Sequence, residues 1–195
     1  MGDKENCYRS LDKIFETASR IVDSKELYHL YTTRGRCHFA FKDYQSALND
    51  YKKANELLAT KYPQTDGDRI SLLALIGGVE HQFGNYEESE QYYRKYAEYT
   101  KVLYGENSLE HINAQIDLAN AEGFAGNVTY GCNDYTAAVL QLKTLMKQRI
   151  PYMNSTEREG LWNPLSSLFT MMTPYALEAK QTQTAFTKNC YDALV

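Results

Sequence analysis

Residues 30–62 read LYTTRGRCHFAFKDYQSALNDYKKANELLATKY, and residues 72–104 read LLALIGGVEHQFGNYEESEQYYRKYAEYTKVLY. Displaced by 42, the two stretches place Leu30 on Leu72, Gly35 on Gly77, Tyr44 on Tyr86, Tyr51 on Tyr93, Lys53 on Lys95 and Tyr62 on Tyr104. One period later Ile70 falls on Ile112, Glu80 on Glu122, Gly84 on Gly126 and Asn85 on Asn127. The register holds without gaps from about residue 30 to residue 127. Such self-similarity marks a repeat array, in which each unit buries its apolar face against its neighbours.

Within a unit the apolar period is helical. Leu30, Arg34, His38 and Phe41 open one segment, and Tyr44, Ala47, Leu48, Tyr51, Ala54, Leu57 and Leu58 form a second with steps of three and four. The next unit repeats the pattern with Ile70, Leu73, Ile76, Gly77 and Glu80, then Tyr86, Ser89, Tyr93, Tyr96 and Val102. A short breaker separates the halves, Lys42-Asp43 in one unit and Gly84-Asn85 in the other, where glycine suits a left-handed helix end. Gly35 and Gly77 fall in mid-helix, where glycine costs about 1 kcal/mol against alanine, so close approach of a second helix is expected there. Each unit reads as an antiparallel helix pair.

The spacing Tyr31-x3-Gly35-x2-His38-x5-Tyr44-x2-Ala47-x3-Tyr51-x2-Ala54 resembles the tetratricopeptide repeat (TPR). Leu73, Gly77, Glu80, Gly84, Tyr86, Ser89, Tyr93 and Tyr96 follow the same motif, departing from it at Glu80, Ser89 and Tyr96. A third unit opens at Gln115, Leu118, Ala119, Glu122 and Gly126. The 42-residue period resembles the longer-helix subtype of kinesin light chains. The resemblance implies an all-α, right-handed superhelical solenoid of antiparallel helix pairs. The expected layout is an unpaired helix at 5–22, then pairs at about 25–61, 67–104 and 108–150, all within a repeat region of residues 1–150. A C-terminal helical extension would occupy residues 151–195.

The third unit reads as interrupted. Val128 stands where a tyrosine would follow Tyr86, and Asp134-Tyr135-Thr136-Ala137-Ala138 matches seven residues late, with Leu142 and Leu145 inward. Gly131, Asn133 and Asp134 argue for a loop over 128–134. Both ends look cut. The helix at 5–22 reads as the second helix of a pair whose first is missing, and the chain stops in the apolar pattern Tyr191-Asp192-Ala193-Leu194-Val195. Thr156-x-x-Glu159 forms a capping box for a helix through Leu161, Trp162, Leu165, Leu168, Phe169 and Met172, which Pro164 would kink. The stretch from Ile150 to Trp162 resembles the link between TPRs and a CHAT domain, a caspase-like peptidase module of bacteria. That resemblance implies a peptidase domain downstream, with its catalytic His and Cys outside this chain.

Composition narrows the functional classes. With 21 Lys+Arg against 25 Asp+Glu there is no basic field to drive nucleic-acid binding. The most apolar stretch, Ile70–Val79, is too short to span a bilayer, and no secretory signal follows Met1. Cys7, Cys37, Cys132 and Cys190 form no C-x-x-C, so neither a zinc ribbon nor a thioredoxin-type site is available, and a cytoplasmic location with reduced thiols fits. No cofactor or metal motif is present. His38 takes the aromatic position of the motif and should pack between helices. A helical hydrolase built on His81 or His111 would need a carboxylate or thiol in reach of that ring. The chain is expected not to be an enzyme.

What remains is the groove. The resemblance places His29, Thr32, Arg36 and Phe39 on the concave face, then Ala74, Gly78, His81 and Gln82, then Asn113, Ile116, Asn120 and Phe124. Thr32 and Arg36 stand where the clamp for acidic peptide C-termini would need Lys and Asn. Mixed polar and aromatic groups suit a bound peptide or helix. The expected function is a protein- or peptide-binding scaffold that engages a partner, or its own downstream peptidase domain. A sensor of small peptide signals controlling another effector domain is the alternative, and a solvated face without a ligand is the plainer one.

Overall fold

The computed structural model describes residues 2–18 and 24–149, with Tyr152, Asn154 and Thr156. Among the described residues there are seven α-helices and no strand: α1 Gly2–Ala18, α2 Ser24–Ala40, α3 Tyr44–Ala59, α4 Gly67–Phe83, α5 Tyr86–Tyr104, α6 Leu109–Phe124 and α7 Val128–Arg149. The fold is an all-α helical repeat. Helices α3, α5 and α7 begin one 42-residue step apart, and α1 begins one step before α3.

Three identical turns enforce this spacing. Asp43, Asn85 and Asn127 each donate a backbone N–H to the carbonyl five residues back, in His38 (2.9 Å), Glu80 (3.0 Å) and Glu122 (2.8 Å). The residue before each is left-handed: Lys42 at φ 62°, Gly84 at 80° and Gly126 at 87°. The 6→1 bond with a left-handed residue is a Schellman-type helix end. Glycine takes that conformation without steric cost, whereas Lys42 carries a Cβ into it. Asp66 and Ser108, also 42 apart, cap α4 and α6 with their side-chain oxygens.

The chain divides into two compact units, Met1–Tyr99 and Thr100–Val195. In the first, Tyr28, Ala47, Leu48, Tyr51, Ala54, Leu58, Leu72, Ile76 and Val79 form one core. A Cβ on Gly35 would stand 2.5 Å from Cε1 of Tyr51, and one on Gly77 would stand 3.2 Å from the Tyr92 Cβ and the Tyr93 ring. Both mid-helix glycines therefore mark close approach. The motif departures at Ser89 and Glu80 have partners: the buried Ser89 hydroxyl donates to the Gly77 carbonyl at 2.9 Å, and Asn85 Nδ2 donates to Glu80 Oε2 at 2.8 Å. In the second unit Ile112, Ile116, Ala119, Tyr135, Ala138, Val139, Leu142 and Leu145 form the core between α6 and α7.

The interruption expected in the third repeat is absent. Helix α7 runs unbroken from Val128, so residues 128–134 are helix and not loop. Tyr135 belongs to the series Tyr51, Tyr93, Tyr135 in steps of 42 and is not a delayed copy of Tyr86. Gly131 lies inside the helix because a Cβ there would stand 2.6 Å from the Ala119 carbonyl oxygen. It is a packing glycine, and Asn133 beside it is exposed. Tyr44 and Tyr86, which hold the equivalent position in the earlier pairs, are only half-buried.

Helix α1 packs on α2 through Tyr8 against His38 (4.7 Å between ring centroids) and Phe15 against Tyr31 (4.8 Å). Where α3 carries inward Tyr51, Ala54 and Leu58, α1 carries Arg9, Asp12 and Glu16, all exposed. Ile21 and Val22, the extension at 151–195 apart from Tyr152, Asn154 and Thr156, and the peptidase-linker stretch lie outside the described residues.

Candidate functional site

The first helix of each pair has one face committed to packing and one that is not. On α2, Tyr28, Thr32 and Gly35 are buried, while His29, Thr33, Arg36 and Ala40 are exposed at steps of four, three and four. Thr32 is 6% exposed, and its hydroxyl donates to the Tyr28 carbonyl at 2.9 Å, so it serves the helix and presents nothing outward. Burial pushes the Tyr28 phenol up to about 12, reinforced by the neighbouring Asp68 carboxylate. Phe39 is half-buried, its ring 5.4 Å from that of Tyr44.

On α4, Ala74 and Gly78 are half-buried, and a Cβ on Gly78 would stand 3.4 Å from the Tyr93 hydroxyl. Gln82 is exposed, and its Oε1 accepts the Tyr44 hydroxyl at 3.0 Å, with the Tyr44 and Phe83 rings edge-to-face at 6.2 Å. Phe39, Tyr44, Gln82 and Phe83 thus gather where α2 and α4 end and α3 begins. His81 sits 5.3 Å from the Tyr86 ring, and burial holds its imidazole below the ordinary range.

In the second unit α6 presents Asn113 and Asn120, both half-buried, and Phe124, which is 51% exposed. Ile116 is buried in the core. The Tyr135 hydroxyl donates to Asn120 Oδ1. His111 is buried, its Nδ1 3.4 Å from the Thr100 hydroxyl. Among the described residues no three His, Cys, Asp or Glu side chains converge as a metal-holding group, and no helix is long and apolar enough to cross a membrane.

Two features stand outside the residues expected in the groove. Arg34 donates from Nε and Nη2 to both Asp50 oxygens, at 2.8 and 2.6 Å, while its guanidinium lies 4.0 Å over the Phe15 ring. His38 lies beside this pair, with Nε2 3.7 Å from Asp50, and Nδ1 3.3 Å from Asp43 and 3.1 Å from the Tyr8 hydroxyl. The signal was available: the equivalents of Arg34 one and two periods on are Ile76 and Leu118, so a charge at a core position demanded a partner. The second is Asp117, half-buried on α6, whose carboxyl burial pushes up to about 6.

No protein-family model and no curated protein matches the sequence. Among solved structures the chain is similar to BtubC (BKLC) from P. vanneervenii, with a TM-score of 0.69 and 14% identity over 98% of this chain and 74% of that one. It is also similar to the nearly identical TPR-like repeats assigned to a Podosopora anserina kinesin light chain, in two crystal structures. One aligns with a TM-score of 0.63 and 13% identity over 98% of this chain and 85% of that one. The other aligns with a TM-score of 0.59 and 14% identity, over 94% and 90%. At this identity the likeness speaks for the fold alone, a TPR-like helical repeat.

Proposed function

We propose that this chain is a non-catalytic scaffold that holds a protein or peptide partner against the outward faces of its first helices. The supporting observation is the division of labour on those helices. Their inward faces are filled by the repeat core, whereas His29, Arg36 and Gln82 stay exposed and Ala74 and Gly78 are half-buried. Polar groups beside small residues and accessible rings suit main-chain and side-chain contacts with a peptide. His81 and His111 are held in packing, against Tyr86 and Thr100, which agrees with a binding role.

A partner in cis is a caspase-like peptidase domain, on the resemblance of residues 150–162 to the segment that joins such domains to TPRs. The test is a peptide array probed with the 195-residue chain and with Arg36→Glu and Gln82→Arg variants. The scaffold reading expects a subset of peptides to bind and about a tenfold loss in the variants with unchanged far-UV dichroism. Binding indifferent to both variants, or sensitive only to an outward change on α3 such as Lys52→Glu, would contradict it.

A further inference from the structure

Helix α6 is covered over most of its circumference: His111, Ile112, Ala114, Ile116, Leu118, Ala119, Ala121 and Glu122 are all buried. Asn113, Asp117, Asn120 and Phe124 follow one another at steps of four, three and four, so they share one stripe of its less covered surface. Phe124 at the end of the stripe is exposed, and Asn120 is fixed by the Tyr135 hydroxyl.

Asp117 differs from the buried carboxylates Asp50 and Glu80. Asp50 is matched by the Arg34 fork, and Glu80 by the Asn85 amide. Asp117 has no hydrogen bond or ion pair with any described residue, and desolvation is the one influence on its carboxyl. A carboxylate that loses water without gaining a partner is costly, and a cation seated against it recovers that cost. Asn113, one turn before Asp117, brings a side-chain oxygen that accepts from such a guest, while Asn120 Oδ1 already accepts the Tyr135 hydroxyl. The exposed ring of Phe124 offers a surface for the guest's aliphatic stem.

Resting on the reading of the first-helix faces as the binding surface, we infer that Asp117, between Asn113 and Asn120 on α6, receives the basic side chain of a bound peptide. The occupant is an arginine or lysine within the partner segment, selected by charge complementarity at a half-buried site.

The test uses the full chain and an array of acetylated random peptides, roughly twelve residues long, with Arg, Lys, norleucine or Glu fixed at the centre. Fluorescence polarisation should show Arg- and Lys-centred peptides binding about tenfold tighter than norleucine-centred ones. Asp117→Asn should abolish that difference, and Asp117→Lys should transfer it to Glu-centred peptides. If either variant fails to fold, the wild-type chain still decides, because its preference for Arg should shrink as pH falls from about 7.5 to about 5 and the carboxylate is neutralised. Peptide binding without a basic preference, or a preference that survives Asp117→Asn, would overturn the assignment and leave the scaffold reading standing. Preference for unacetylated peptides would assign the site to a terminal amine and overturn the side-chain assignment. Absence of any peptide binding would overturn both readings.

Discussion

Gly35 and Gly77, in mid-helix in the first unit, make different demands on the fold, and alanine substitution separates them. A Cβ on Gly35 would meet Cε1 and Cδ1 of Tyr51 at 2.5 and 2.8 Å. Carbon atoms rest at about 3.5–4.0 Å, so the ring would have to retreat by roughly 1 Å. Tyr51 is 1% exposed within the core of the unit and has nowhere to go. Overpacking of this kind costs about 1–3 kcal/mol, and the better helix propensity of alanine returns about 1 kcal/mol. Contacts as short as 2.5 Å take the upper part of that range, about 2–3 kcal/mol, so Gly35→Ala should destabilise by about 1–2 kcal/mol. At Gly77 the contacts would be 3.2–3.3 Å, which a shift of a few tenths of an ångström relieves. There the propensity gain offsets the crowding, and Gly77→Ala should stay within about 0.5 kcal/mol of the wild type. Urea unfolding followed by far-UV dichroism, with hydrogen exchange of α3 amides as a local probe, measures both. Adding Tyr51→Leu to Gly35→Ala should show a favourable coupling of about 1–2 kcal/mol, because the obstructing ring is gone. A Gly35→Ala chain as stable as the wild type, or a Gly77→Ala chain less stable than Gly35→Ala, would refute the close packing of α2 on α3.

Lys42 holds a left-handed conformation that Gly84 and Gly126 hold in the equivalent turns, so Lys42→Gly should stabilise by about 0.5–1 kcal/mol in the same urea assay; a loss would show that the side chain earns its place. Removing one partner of the Arg34–Asp50 pair by Asp50→Ala should cost about 2–4 kcal/mol, whereas Arg34→Met with Asp50→Leu should cost much less, and equal losses would contradict a buried pair. The Asp117 pKa of about 6 lies above the unfolded value of about 3.9, so ionisation opposes folding. Its favourable contribution is full below about pH 4 and is lost as pH rises through about 6. Asp117→Asn should thus be more stable than the wild type by up to about 3 kcal/mol at about pH 8 and nearly equal to it at about pH 4; a pH-independent difference would count against the burial.

The repeat was legible because its fixed points are residues that packing and turn chemistry allow little freedom. Gly35 and Gly77 sit under rings, Gly84 and Gly126 close helices at positive φ, and Tyr51, Tyr93 and Tyr135 hold one position in every pair. The third pair misled where local propensity and packing disagree: Gly131 and Asn133 have turn chemistry, but Gly131 answers a carbonyl of α6 and Asn133 faces water. Anchoring the register on Tyr86, a half-buried helix-start residue, hid the exact return of Tyr135. The candidate surface was legible only as a face. Thr32 turned inward to its own helix, and Asp117 went unnoticed because a single carboxylate carries no spacing signal. Its meaning depends on burial, which a sequence does not state.

The central claim is that the first helices of the pairs carry the partner. Hydrogen exchange of the 195-residue chain, with and without the tightest peptide from the array, tests it most directly. The account predicts added protection in α2, α4 or α6, with α3, α5 and α7 unchanged. Protection confined to α3, α5 or α7 would contradict it.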